Sequence, residues 1–345
     1  MKIYELEKYS NEIRSFREKL DLSFLSNKTI LISGASGTII SYLIDTLLID
    51  KNQKTNLIIL VHSDKSKTRF PTDSRISYLY GDVTDSSVFS TLNKSVDIFI
   101  SGASITDPKG YSSRPIDTML INFYGTKNLL DVAVKNNALF LLLSSCEIYG
   151  IADVSTMNEE YCGKINTMDV RSCYNESKRA SETLCVAYAK EFNIDIRIAR
   201  ISRSFGPTQS IEDTKALSQF IKNGLLGQDI ILKSSGNQLF SYTYVADIVT
   251  GLLCILEKGQ PNQAYNVCSD EIIKLKDMAK IVADHVNKKV IINCVSDELS
   301  KGGYSRTQLA IQDPSKLKKL GWSPSFKIKD SIEFTMDVLK ELYFN

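Results

Sequence analysis

Lys28-Thr-Ile-Leu-Ile-Ser-Gly34-Ala-Ser-Gly37-Thr-Ile-Ile-Ser41 is the stretch from which the fold is read. Lys28 to Ser33 has the apolar run of a short buried strand. Two glycines follow at a spacing of three, and a helical pattern then continues through Leu48. Strand, glycine turn and helix in that order form a dinucleotide-binding signature. The glycines let the backbone approach a pyrophosphate, and the helix N-terminus faces its negative charge. Ile40 stands where a third glycine is usual, which loosens helix–strand packing more than phosphate binding.

Working outward, Asn56 to Val61 reads as a second strand. An acidic residue at its tip would bind the ribose hydroxyls of NAD. Here His62 takes that place, followed by Ser63, Asp64, Lys65, Lys67 and Arg69. Cationic and hydroxyl groups there favour a 2′-phosphate, hence NADP over NAD, although Asp64 could still take the ribose role. Ile76 to Tyr80 is a third strand, and Asp82 after it either caps the turn or contacts adenine. Asp97 to Ser104 is a fourth strand ending in small residues, which leave room for a cofactor backbone. Asp117 to Val134 is helical, and Ala138 to Leu143 is a fifth, wholly apolar strand. The alternation predicts an α/β chain with a Rossmann-type, doubly wound parallel sheet.

The fifth strand runs into Ser144-Ser-Cys-Glu-Ile-Tyr-Gly150. A serine at the carboxyl end of a central strand sits in the ligand crevice. Glu147 lies two residues past Ser145 and faces the same side if the strand continues. It could act as a carbon base or simply hold a hydroxyl. Arg171-Ser-Cys-Tyr-Asn-Glu-Ser-Lys178 then places Tyr174 and Lys178 one helical turn apart. An ammonium beside a phenol favours the phenolate, so Lys178 is expected to lower the Tyr174 pKa from its ordinary ~10. Such a pair can pass a proton to or from a sugar hydroxyl while a nicotinamide exchanges the hydride.

Together Gly34-x-x-Gly37, Gly81-Asp82-Val83, Ser144-Ser145-x-Glu147-x-Tyr149-Gly150, Tyr174-x-x-x-Lys178 and Phe205-Gly206-Pro207 resemble an extended short-chain dehydrogenase/reductase. The likeness is to the NAD-dependent epimerase/dehydratase family of nucleotide sugars, over roughly residues 28–335. Arg171-Ser-Cys-Tyr-x-Glu-x-Lys-Arg179 and Pro108-x-x-Tyr111-x-x-x-Pro115-Ile116-x-Thr118 look most like UDP-glucuronate decarboxylases. The resemblance implies catalysis by Ser145, Tyr174 and Lys178, with the family's glutamate on Glu147. The implied cofactor contacts are Gly34, Ser36, Gly37, Thr38, Ile39, His62, Ser63, Lys65, Asp82, Val83, Gly102, Ala103, Ser104, Asn122, Ser144, Tyr174, Lys178 and Ile201. Substrate would meet Thr106, Ser145, Cys146, Glu147, Arg203 and Arg306. Departures lie on the substrate side. Cys146 replaces the dehydratase aspartate, Arg203 an asparagine, and Phe240 an arginine that usually binds diphosphate, and Arg306 is out of register with the decarboxylase arginine.

The implied reaction is hydride transfer at C4 of a nucleoside-diphosphate hexose or heptose, feeding surface polysaccharide synthesis. The leading form is a 4-ketoreductase or 4-epimerase. The rivals are a UDP-glucuronate decarboxylase-like enzyme or sugar-nucleotide dehydratase, and a cofactor-binding protein without turnover. The family also implies a homodimer formed through helices 117–134 and 174–191.

Composition agrees with that class. The chain has 345 residues and a net charge of +2, so no strong field points at nucleic acid or membrane. Seven cysteines without zinc spacing and only two histidines argue against a metal site and for a reducing, cytoplasmic setting. Residues 1–27 carry Ile3, Leu6, Ile13, Phe16 and Leu20 on what reads as an amphipathic helical extension. The expected organisation is this extension, a dinucleotide domain at 28–203 to which 238–266 returns, and a smaller substrate domain at 204–237 and 267–345. Gly302, Gly303 and Tyr304 are expected to cover the cleft between them.

Overall fold

The computed structural model describes residues 2–62, 69–293 and 309–344. Ser63, Lys65, Arg306 and the loop at Gly302, Gly303 and Tyr304 lie outside the described residues. The central sheet is parallel and seven-stranded. Its strands are β1 (Thr29–Ile32), β2 (Asn56–Val61), β3 (Ile76–Tyr80), β4 (Ile98–Ser101), β5 (Leu139–Ser145), β6 (Ile196–Ile201) and β10 (Gln263–Val267), in the order β10-β6-β5-β4-β1-β2-β3. The strand order reverses between β1 and β4, where Ile30 pairs with Ile98. Ligands bind at such a switch point, outside the carboxyl ends of the strands.

These strands are apolar without alternation because both faces are covered. Ile30, Ile32, Ile59, Ile100 and Leu141 face helices α2 (Thr38–Ile49) and α7 (Val245–Lys258). Leu31, Ile58, Phe99, Phe140 and Leu142 face α4 (Pro115–Asn136) and α5 (Ser172–Phe192). Side chains alternate across a strand, so neighbouring residues feed opposite cores.

In the N-terminal segment α1 (Glu7–Glu18) buries Tyr9, Ile13 and Phe16 in the α2 side of the core, where Ile3 and Leu6 join them. The expected return of residues 238–266 divides. β9 (Leu239–Tyr244) belongs to a second, four-stranded sheet with β7 (Arg203–Phe205), β11 (Ile272–Lys274) and β13 (Leu309–Ala310). Only α7 and β10 return to the first sheet. A third sheet pairs β8 (Ile230–Leu232) with β12 (Val290–Ile292). Among the described residues, no helix is long and apolar enough to cross a membrane.

Candidate active site

The glycine turn after β1 is built against the end of β4. Gly34 has φ +76°, and a Cβ there would lie 2.4 Å from the Gly102 backbone. Ser33 Oγ accepts hydrogen bonds from the Gly102 and Ala103 amides at 3.1 and 3.2 Å. Only glycine satisfies both the backbone angle and this approach. The missing third glycine is compensated from the opposite side. Ile40 is buried, and a Cβ on Gly102 would lie 3.0 Å from its side chain, so the small residue has moved from helix to strand. Gly37 precedes α2 in extended conformation, leaving the first amides of the helix directed at the crevice. Gly34, Ser36 and Gly37 form this turn, and Thr38 and Ile39 open α2.

His62 is exposed at the tip of β2, with Nδ1 3.9 Å from an Asp82 carboxylate oxygen. Asp82 also accepts the Thr84 amide and hydroxyl at 2.8 and 2.6 Å, so it caps its own turn. Val83 is buried against Gly125 of α4. Ile201 is buried at the end of β6. Ser104 Oγ is buried without a protein partner. Asn122 donates to Ser177 Oγ at 2.9 Å, bolting α4 to α5, while its Oδ1 is buried without a partner. Ser144, expected at the cofactor, commits its hydroxyl to Glu182 of α5 at 2.5 Å. Thr106 is exposed in the segment after β4.

Ser145 closes β5, and its Oγ accepts the Glu147 amide at 3.2 Å. The strand therefore stops there. Cys146–Tyr149 forms one 3₁₀ turn, and it is this turn, not strand alternation, that delivers Glu147 to the crevice. Tyr174 and Lys178 lie on α5, and both are buried. Tyr111, from α3 (Pro108–Ser113), stacks on Tyr174 with ring centroids 5.5 Å apart.

The expected lowering of the Tyr174 pKa is reversed. Burial pushes the phenol well up, the Ser145 hydrogen bond opposes it, and the Glu147 charge adds to the rise. Lys178 instead donates to the Leu143 carbonyl at 2.9 Å. Burial lowers its own pKa to about 8, against the opposing charge of Glu182. Burial thus favours the uncharged form of both groups.

Glu147 sits between two arginines. Arg171 Nη2 is 3.0 Å from one carboxylate oxygen and Arg203 Nη2 3.2 Å from the other. Burial pushes its carboxyl up, but the Arg203 and Arg171 charges more than offset this and hold it below the usual range. Arg203 reaches Glu147 from β7, and its guanidinium lies 3.8 Å above the Phe240 ring of β9. The two strands run parallel with Arg203 opposite Tyr242. Arg171 also packs over the Tyr111 ring. Cys146 is buried, and burial raises its thiol to about 11.

Sequence reasoning missed roles for Arg171 and Glu182. Both had a signal, standing three residues before Tyr174 and four after Lys178 on the same helix. The stacking of Tyr111 had none, because it depends on how α3 lies against α5.

Residues 30–268 match the sequence model of the NAD dependent epimerase/dehydratase family. UDP-glucuronic acid decarboxylase 6 of Arabidopsis thaliana is 32% identical over 314 residues, covering 90% of this chain and 88% of that protein. UDP-glucuronic acid decarboxylase 1 of Xenopus tropicalis is 30% identical over 339 residues, covering 97% and 78%. Among solved structures, UDP-glucuronic acid 4-epimerase from Bacillus cereus, in complex with UDP-glucuronic acid and NAD, has a TM-score of 0.78 at 23% identity. It covers 91% of this chain and 100% of its own. The dTDP-glucose 4,6-dehydratase from Streptomyces venezuelae, solved with NAD, has a TM-score of 0.79 at 21% identity over 91% and 97%. The structural likeness agrees with the Rossmann-type sheet, and the sequence matches, read with the Ser145, Tyr174 and Lys178 geometry, place this chain in the NAD-dependent epimerase/dehydratase family.

Proposed function

We propose that the protein is an NAD-dependent enzyme that oxidises C4 of a nucleoside-diphosphate uronate and thereby releases its carboxyl group as carbon dioxide. The observation that carries this reading is the Arg171–Glu147–Arg203 cluster beside Ser145 and Tyr174. Two guanidiniums against one carboxylate leave one net positive charge, which gives an acidic sugar a partner that a neutral sugar does not use. The sequence relatives named as UDP-glucuronic acid decarboxylases support it.

Bound NAD would supply the hydride acceptor for C4. Ser145 and Tyr174 hold the C4 hydroxyl and relay its proton, and Lys178 fixes the end of β5 that carries Ser145. With a carbonyl at C4, the carboxylate on C5 belongs to a β-keto acid. The electrons of its C–C bond pass toward the C4 oxygen as carbon dioxide leaves, the enolate so formed takes a proton at C5 from water, and the hydride removed from C4 would remain with the nicotinamide. No side-chain carbon base is required. Glu147, ionised and held by two arginines, is a poor one, which speaks against dehydration and C5 epimerisation. NAD is preferred to NADP because the Asp82 carboxylate next to His62 offsets the positive character of the β2 tip. The assembly is a homodimer through α4 and α5, whose outer faces expose Ile116, Met119, Leu120, Tyr124 and Val186.

A second reading, 4-epimerisation or 4-ketoreduction without loss of carbon, is favoured by Phe240 in place of a diphosphate-binding arginine. One incubation separates the two. The protein is given NAD with UDP-glucuronate, UDP-glucose or dTDP-glucose, and products are read by mass spectrometry. Loss of carbon dioxide from UDP-glucuronate alone is the expected result. An unchanged UDP-glucuronate with epimerisation of a neutral sugar would overturn the uronate reading in favour of the second.

A further inference from the structure

Behind Tyr174 and Lys178 the same helix face carries Glu182, a buried carboxylate for which the reaction above has no use. Tyr174, Lys178 and Glu182 follow one another at intervals of four, so all three look down on β5 and β6. What they meet there is consecutive. Lys178 Nζ donates to the Leu143 carbonyl at 2.9 Å. Ser144 Oγ donates to Glu182 at 2.5 Å. Ser145 is the next residue, and its hydroxyl opposes the burial-driven rise of the Tyr174 phenol. On the neighbouring strand Arg200 is the register partner of Ser144. It grips Glu182 through Nη2 at 2.8 Å and Nε at 3.2 Å, while its other nitrogen donates to Tyr149 Oη and the Glu159 carbonyl.

We propose that Glu182 is a positioning residue for the reaction. It ties the catalytic helix to the last residues of β5, so that Tyr174 meets Ser145 in register, and it supplies the counter-charge that keeps the buried Lys178 an ammonium ion. The first half follows from the hydrogen bonds. A helix held to a strand at two successive residues cannot slide or roll without breaking charge-assisted bonds in a low-dielectric interior. The second half follows from charge placement. Lys178 is 4% exposed, and among the described residues its one hydrogen-bond acceptor is a neutral carbonyl. Among the described residues, the titratable groups that act on it are Glu182 and Cys185 of its own helix. Burial keeps the Cys185 thiol neutral, which leaves Glu182 as the charge. Arg200, from β6, acts on Lys178 only by moderating Glu182. The burial-lowered Lys178 pKa of about 8 lies close enough to neutrality for a change in either partner to alter its charge.

The role in catalysis rests on the proposed function, but the charge of Lys178 is measurable without any substrate. Lysine side chains are labelled with ¹³C at Cε, the Lys178 resonance is assigned by its loss in Lys178→Met, and its chemical shift is followed against pH. Relative to wild type, Glu182→Gln should move the midpoint to lower pH. Arg200→Gln, which unmasks the carboxylate, should move it to higher pH. A purely structural Glu182 would loosen the protein in both variants without opposite shifts, and an unmoved midpoint in Glu182→Gln overturns the proposal. Glu182→Asp, which retains the charge, should return the midpoint toward wild type and serves if the Gln variant is insoluble. With whichever nucleotide sugar is converted, the alkaline limb of kcat should move in parallel with the resonance. A shifted resonance with an unshifted limb would overturn the positioning role. Failure of every sugar to react would count against the proposed function while leaving the resonance test intact.

Discussion

Replacing Glu147 by Gln keeps the side-chain length and removes one charge from the cluster between Arg171 and Arg203. The native carboxylate accepts hydrogen bonds at 3.0 and 3.2 Å from groups that are about one-fifth exposed. A hydrogen bond to a charged group contributes roughly 1.5–3 kcal/mol. The amide oxygen of Gln still accepts one bond, and water reaches part of the site, so the net loss should be roughly 2 kcal/mol. With an unfolding entropy of about 2.1 cal/mol/K per residue, a chain of 345 residues then loses about 3 °C in Tm. The pH dependence gives the sharper test. The arginines hold the Glu147 carboxyl below its ordinary range in the folded protein. A depressed carboxyl stabilises the fold above its unfolded pKa of ~4.3, and that stability is lost as pH falls through the folded value. The gap between wild type and Glu147→Gln should therefore be full at neutral pH, narrow as pH falls below the unfolded value of ~4.3 and close only below the depressed folded value. Thermal melts by circular dichroism across that range measure it. A gap that persists unchanged into acid would refute the ion-pair account. Activity adds a second reading, since loss of a true general base removes ~10²–10⁴-fold of the rate. With Glu147 as a holder of arginines, the loss should stay below ~10²-fold, and a larger one would restore it as a base.

Tyr174→Phe keeps the ring stacked on Tyr111 and removes the hydroxyl, so the protein should fold and lose ~10²–10⁴-fold in kcat; near-native turnover would remove Tyr174 from the chemistry. Calorimetric titration should show NAD binding at least tenfold tighter than NADP, a difference of ~1.4 kcal/mol, and the reverse order would mean that the β2 tip recruits a 2′-phosphate after all. Leu120→Glu places a charge in the exposed apolar face of α4 and should convert a dimer to a monomer in light scattering at micromolar concentration. A wild type that is already monomeric would dispose of the dimer.

The parallel sheet was legible because its strands are buried on both faces and so read as unbroken apolar runs, with Asn56–Val61 and Ile76–Tyr80 matching to the residue. The glycine turn between β1 and α2 was legible because glycines at fixed spacing have few other uses. Charge relations across the site were not. That Tyr174 rises in pKa rather than falls depends on how deeply α5 is buried and on the direction of the Lys178 side chain, neither of which spacing encodes. The place of Glu147 followed from a 3₁₀ turn that replaces the expected strand. Arg203 and Phe240 were noticed separately as departures. Only the parallel pairing of β7 with β9 brings guanidinium and ring into contact. β9 itself, expected with the first domain, pairs in the second sheet because β7, β11 and β13 offer it partners from distant parts of the sequence.

Helix α1 is the seam at which the two ends of the chain meet. Tyr9 and Arg69 share Asp45 of α2, and Glu12 accepts the hydroxyls of Tyr42, also on α2, and of Tyr244. Phe16 packs on Phe326, and Lys8 pairs with Asp337. The contacts with Tyr244 and Asp337 span 232 and 329 positions of sequence. Contacts so distant along the chain must meet the entropy of closing long loops before they stabilise anything, and they form late. A growing chain can assemble β1, α2 and the glycine turn early, but the clasp over α2 closes only after the last helix, Ile328–Phe344, has been made. The glycine signature near the start of the sequence thus leads into a helix held under α1 by contacts from far along the chain, and a chain cut short before Asp337 would lose one of them.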